Sequence, residues 1–165
     1  MTEVIKNTEN FITIQNEWII RLKDEAKKSP KRHSRLCMHE KEDDEIQEML
    51  VVFCNNCIVK PSNASGRAQS FDMVEGEMLL ILFDDSGRVT DCIEMGTLGS
   101  GKTFIYRLSR PTWHTLIPRS NFVVVHECIK GPFSNLNTPL PRWIPESLNQ
   151  LKIFLDQILQ KSAYV

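Results

Sequence analysis

Apolar residues recur at helical spacing near both ends of this chain and at strand spacing between them. Ile14, Trp18, Ile19, Leu22 and Ala26 fall on one stripe, which predicts an amphipathic helix over residues 11–28, stopped by Ser29-Pro30. Residues 29–42 are rich in basic side chains and hold His33 and His39. Asp43 and Asp44, either of them able to cap, then predict a short helical turn running to Met49. Beyond it the pattern changes. Residues 49–59, 70–83, 88–95, 103–108 and 122–129 are runs of Val, Ile, Leu and Phe, and Asp84-Asp85-Ser86-Gly87 reads as a hairpin turn. Short strands at such spacing, separated by Gly, Asp, Asn and Pro, predict an antiparallel sandwich or barrel. Proline and asparagine over residues 131–145 predict an irregular connection. A last stripe of Leu148, Leu151, Phe154, Leu155, Ile158 and Leu159 predicts a helix over residues 146–160, packed on its own sheet or on a second subunit. The expected organisation is one domain over residues 1–165: a helical region at 11–48, a barrel at 49–133, then the connection and helix at 134–165.

A chain of 165 residues suits one core. Its 20 basic and 21 acidic side chains nearly cancel, so it lacks the field that non-specific phosphate binding requires, and no nucleic-acid partner is expected. No apolar run reaches the roughly 18 residues of a membrane span, and the first ten residues lack the basic and apolar segments of a leader. The expectation is a soluble, cytoplasmic protein without a membrane partner. Five cysteines are an odd set lying mostly among strand-like residues, where a reduced thiol behaves as a small hydrophobe. Cys54 and Cys57 form a lone C-x-x-C with neither a second pair to complete a zinc site nor a following helix to activate a thiol, so they read as structural.

Residues 96–103, G-T-L-G-S-G-K-T, satisfy the letters of a phosphate-binding loop. That chemistry needs a helix N-terminus aimed at the anion. Here Phe104-Ile105-Tyr106-Arg107-Leu108 follows, a strand-like run, and the segment reads as a glycine-rich turn between strands.

A different spacing carries more. A cupin metal site reads H-x-H, four residues, E, six residues, G, with a later strand supplying another His. The same intervals here deliver Ser62, Ala64, Gln69 and Gly76, with His114 at the later position. In a strand, residues two apart share a face, so Ser62 and Ala64 would both point into a barrel. Ala64 offers no lone pair, Ser62 a hydroxyl and Gln69 a neutral amide, and His114 alone would not retain a metal. No cofactor is expected, unless His39 or His33 with Cys37 rebuilds a divalent-metal site beside His114. Without a metal, His114 is the candidate acid or base, in a polar pocket with Gln69, Ser62 and Tyr106. His126 and Glu127 point to opposite faces of their strand, so one of them must face inward.

Arg35-x-Cys37-x-His39, Asp43-Asp44, Gln47-x-Met49, Lys60-Pro61, Phe71, Glu75-Gly76, Phe83-Asp84-Asp85-x-Gly87, Thr112-Trp113-His114-Thr115 and Glu127 with Gly131-Pro132-Phe133 complete the pattern. In that order these residues resemble the WbuC-like family of cupin-fold metalloproteins, over about residues 29–145. The resemblance implies a double-stranded β-helix, the cupin jelly-roll barrel, flanked by an N-terminal helix and a C-terminal amphipathic helix. It also implies a homodimer and a context of bacterial lipopolysaccharide or other surface-polysaccharide biosynthesis. The family's metal ligands would fall on Ser62, Ala64, Gln69 and His114, of which only His114 matches. The Pro-Gly before Thr-Trp-His has become Arg110-Pro111, and an Asn near Cys37 is absent. Arg35, His39, Trp113 and Glu127 do match, so the resemblance implies a pocket that persists without metal and takes a sugar-like ligand. A metal-free sugar isomerase or epimerase, and a structural or regulatory assembly partner, are the alternatives.

Overall fold

The computed structural model describes residues 3–132 and 140–162. Nine strands and two helices follow in the order β1 (Glu3–Lys6), α1 (Asn16–Lys28), β2 (His33–Cys37), β3 (Ile46–Cys54), β4 (Gln69–Glu75), β5 (Glu77–Phe83), β6 (Val89–Gly96), β7 (Ile105–Leu108), β8 (Trp113–Pro118), β9 (Phe122–Lys130) and α2 (Leu148–Ser162). They build two sheets face to face. The larger has the order β1-β2-β3-β9-β4-β7 and the smaller β6-β5-β8. Among the described strand pairs, β1–β2 is parallel and the rest are antiparallel.

The alternation of side chains along each strand sets the layers. On β3, Met49, Val51 and Phe53 face the barrel interior, where they meet Phe71, Val123 and Val125 of the same sheet and Met78, Leu80, Met95 and Leu116 of the smaller one. Leu50, Val52 and Cys54 face outward, yet they too are buried, beneath Leu22 and Ala26 of α1. A strand covered on both faces reads as a continuous apolar run. The smaller sheet is covered in the same way: Leu79, Ile81 and Phe83 pack under Leu151, Leu155 and Ile158 of α2. The C-terminal stripe therefore spends its apolar face on its own sheet.

Several expectations need correction. Helix α1 begins at Asn16, not at residue 11, and Phe11 is left exposed; the β-branched run Ile12-Thr13-Ile14 resists a helical turn. The turn expected from Asp43 to Met49 is instead the start of β3, and residues 33–37 of the basic segment are β2. Asp44 does not cap a helix; its carboxylate accepts from the backbone N–H groups of Glu40 and Lys41 and closes a loop. The run at 70–83 is two strands, broken at Gly76, whose φ of +82° suits glycine and where a Cβ would lie 2.2 Å from the Phe122 carbonyl oxygen. Strands β1 and β8 were not anticipated as separate runs. The hairpin at residues 84–87 does join β5 to β6, with Asp84 Oδ1 accepting from the N–H groups of Ser86 and Arg88. Residues 133–139 of the irregular connection, Phe133 of the family pattern among them, lie outside the described residues.

Candidate functional site

A cavity of about 880 Å³ opens between the sheets at one end of the barrel, a volume within the range of small-molecule sites. Arg35, His39, Ser62, Ala64, Gln69, Trp113 and Glu127 all line it. Strand register explains the gathering. Cys37 pairs with Met49, Met49 with Glu127, and Glu127 with Phe71, which pairs with Tyr106, so one inward-facing row crosses five strands. Arg35 stands two residues from Cys37 and projects to the same side.

Gln69 and His114, 45 residues apart in sequence, meet inside. The Nδ1 of His114 lies 2.9 Å from the Thr112 carbonyl oxygen, which can only accept, so that nitrogen carries the proton. Its Nε2 is then an acceptor and takes the Gln69 amide N–H at 2.6 Å. Both residues are buried, and burial holds the imidazole below its ordinary pKa, reinforcing the neutral form. Ser62 and His114 exchange backbone hydrogen bonds at 2.9 Å in an isolated bridge. Ala64, however, does not continue a strand as expected: it begins a single 3₁₀ turn with a φ of +54°.

A metal is the group this kind of spacing implies, and the residues present do not fit one. Ala64 has no donor, Gln69 turns its N–H and not its oxygen toward His114, and the His114 lone pair is already engaged. The histidines of the alternative site are engaged elsewhere. His39 Nδ1 lies 3.0 Å from the Glu48 carbonyl and 3.1 Å from the Glu48 N–H, while His33 turns toward Cys57, with Nδ1 3.8 Å from Sγ. Among the described residues no three His, Cys, Asp or Glu side chains group as metal donors.

Glu127 is the inward member of its pair with His126, and it keeps a partial opening onto the cavity. Its depth in the barrel pushes its carboxyl up to about 7, against the pull of Arg35, Arg67 and His126. His126, on the outer face, bridges Glu48 at 2.8 Å and Asp72 at 3.3 Å. Tyr106 is buried, its hydroxyl without a partner among the described residues, and stacks on Phe71 at 5.1 Å; burial raises its pKa, and Glu127 adds to the rise. It sits in the row behind the cavity wall and does not line the opening. Trp113 lines the cavity and packs edge-on against Trp143 at 5.8 Å.

Several lining residues carry no signal in the sequence, Val4, Lys6 and Arg67 among them. Val4 and Lys6 arrive on β1, whose four residues are too short to announce a strand. Arg67 comes from the turn after Ala64, where its Nε donates to the Ala64 carbonyl and its Nη1 to that of Pro132. No local pattern marks it.

The other two motifs resolve as structure. Gly96 ends β6 and Thr103 bridges back to Met95, so the phosphate-loop letters form a turn between strands. Lys102 is held by Glu77 at 2.6 Å and lies 3.8 Å from Glu94. Cys54 packs in the outer cluster beneath α1 and Cys57 in the barrel core, where burial raises the Cys57 thiol to about 12. The two face different layers, and all five thiols are free.

Among solved structures, an oxalate oxidase in complex with the substrate analogue glycolate superposes with a TM-score of 0.50 at 9% identity, over 64% of this chain and 54% of that one. The fold is that of a cupin. A Schizosaccharomyces pombe cupin domain matches with a TM-score of 0.48 at 9% identity, covering 60% of this chain and 61% of that one. A cupin superfamily protein from Desulfitobacterium hafniense gives 0.47 at 11% identity, covering 59% and 76%. The matched part of this chain thus spans less than two thirds of the oxalate oxidase and of the yeast domain. At the sequence level, residues 14–95 match a family described as a domain of unknown function (DUF6016). No curated protein matches the sequence.

Proposed function

We propose that this cupin binds a polar, sugar-like small molecule in its barrel cavity and does so without a metal. The Gln69–His114 hydrogen bond carries the reading, because it uses the one surviving ligand nitrogen of the metal pattern while leaving a cavity of about 880 Å³ open beside it. The lining suits a hydroxylated ligand: Arg35 and Arg67 donate, Glu127 accepts or donates according to its protonation, and Trp113 offers an apolar face. The resemblance to the WbuC-like family supports a place in bacterial surface-polysaccharide biosynthesis, a cytoplasmic location and a homodimer.

The metal-free isomerase built on His114 has less support. Both ring nitrogens already hold hydrogen bonds, one to Thr112 and one to Gln69, so a proton transfer would first have to break a buried pair. A purely structural role would suit a sealed apolar barrel, and this one opens onto a cavity that Arg35, Gln69 and Glu127 help to line.

Elemental mass spectrometry on untagged protein grown in metal-supplemented medium is the first test, followed by NMR titration with a panel of monosaccharides. The expected result is substoichiometric metal together with saturable shifts at the Trp113 indole. Near-stoichiometric zinc, iron, nickel or manganese, or a spectrum unmoved by every sugar, would overturn the proposal.

A further inference from the structure

Arg35 is a half-buried charge without an anionic partner among the described residues. Its Nε is fully enclosed and finds no hydrogen-bond partner among them, and Nη1 has only the thioether sulfur of Met49, at 4.0 Å. A thioether is a weak acceptor, and a guanidinium cannot escape by losing its proton. A half-buried cation with one enclosed, unsatisfied N–H and no anion beside it is held at a cost that an anion in the cavity would relieve. The other cations at this cavity are occupied differently. Lys6 is paired with Glu42 at 3.3 Å, and Arg67 donates to two carbonyl oxygens. Glu127 lines the same cavity and is near enough to feel the Arg35 charge, yet among the described residues no ion pair closes between them.

Resting on the ligand-binding reading above, we propose that the cavity is specific for a sugar acid, whose carboxylate is received by Arg35 and whose hydroxyls reach Glu127. A carboxylate fits the planar fork of a guanidinium and satisfies its donors with charge-assisted bonds. A phosphate monoester would fit the fork too, but its second negative charge would exceed the single positive charge of Arg35, and the excess charge costs more as water is displaced from the cavity. A neutral sugar would leave the cation uncompensated. The geometry therefore selects a monoanion that also carries hydroxyl groups, and the cavity has room for a ligand of monosaccharide size.

The test is calorimetric titration of the full chain near pH 6 with D-glucuronate, D-glucose and D-glucose 6-phosphate as probes. Glucuronate is expected to bind at least about tenfold tighter than either of the others. Arg35→Gln should erase that margin, and Arg35→Lys, which keeps the charge but not the fork, should restore part of it; thermal unfolding checks that both variants are folded. Glucose binding as well as glucuronate would overturn the sugar-acid inference and leave the sugar-binding proposal standing. Glucose 6-phosphate binding best, or an undiminished preference in folded Arg35→Gln, would overturn it as well. Failure of all three probes to bind would count against both.

Discussion

Glu127 decides how the barrel interior responds to pH. Burial outweighs the attraction of Arg35, Arg67 and His126 and raises its carboxyl from an ordinary 4.5 to about 7; Tyr106 and Cys37 share that interior and are themselves raised by it. The folded chain thus holds a proton that the unfolded chain releases near 4.5, so the stability contributed is full below about 4.5 and is lost as pH rises through about 7. In Glu127→Gln that dependence should vanish: denaturant unfolding across this window should show wild type losing stability with rising pH relative to a flatter variant. Parallel curves for the two proteins would show that the carboxyl is better solvated than its depth implies. At the same scale, the spacing that placed Gln69 and His114 was legible in the sequence, and so was the lost donor at Ala64. What those residues do to one another was not, because a 2.6 Å hydrogen bond across 45 residues depends on two strands meeting.

Elements were legible where one periodicity ruled and ambiguous where burial came from two sides. Helix α2 and the hairpin at residues 84–87 carry local signals, a stripe and a turn. Strand β3 carried none that separated it from a helical turn at its start, since its pattern is Ile46-Gln47-Glu48-Met49 before the apolar run, with Asp43 and Asp44 ahead of it. The break between β4 and β5 was hidden inside an apolar run and rests on one residue. At Gly76 a side chain would need both a left-handed backbone and the space now held by the Phe122 carbonyl oxygen. Gly76→Ala should therefore destabilise the fold by at least about 2 kcal/mol, read as a lowered midpoint in denaturant unfolding. An unchanged midpoint would mean that the β4–β5 bend moves freely. The phosphate-loop letters show the opposite case, a motif complete in sequence and cancelled by its element: the strand that follows cannot present a helix N-terminus, and its lysine is committed to Glu77.

For the whole molecule, four layers stack in the order α1, larger sheet, smaller sheet, α2. Because Leu151, Leu155 and Ile158 of α2 are buried on their own sheet, the homodimer proposed above cannot use that stripe. Sedimentation equilibrium at micromolar concentration is expected to give about twice the 19.1 kDa chain mass, and the Leu151→Ala and Leu155→Ala variants should weaken folding without shifting that ratio. A monomeric mass across the concentration range would remove the dimer from the proposal. The sequence by itself determined the class of fold, through its strand spacing and turn residues, and the chemical poverty of the metal pattern, because a side chain that lacks lone pairs lacks them in any structure. Only the tertiary structure decided that β1 and the turn at Arg67 complete the cavity, that Glu127 rather than His126 faces inward, and that Arg35 faces the cavity with its Nε enclosed and unpartnered among the described residues. Those properties belong to strands meeting across long stretches of chain, and a local pattern holds no record of what the far strand brings.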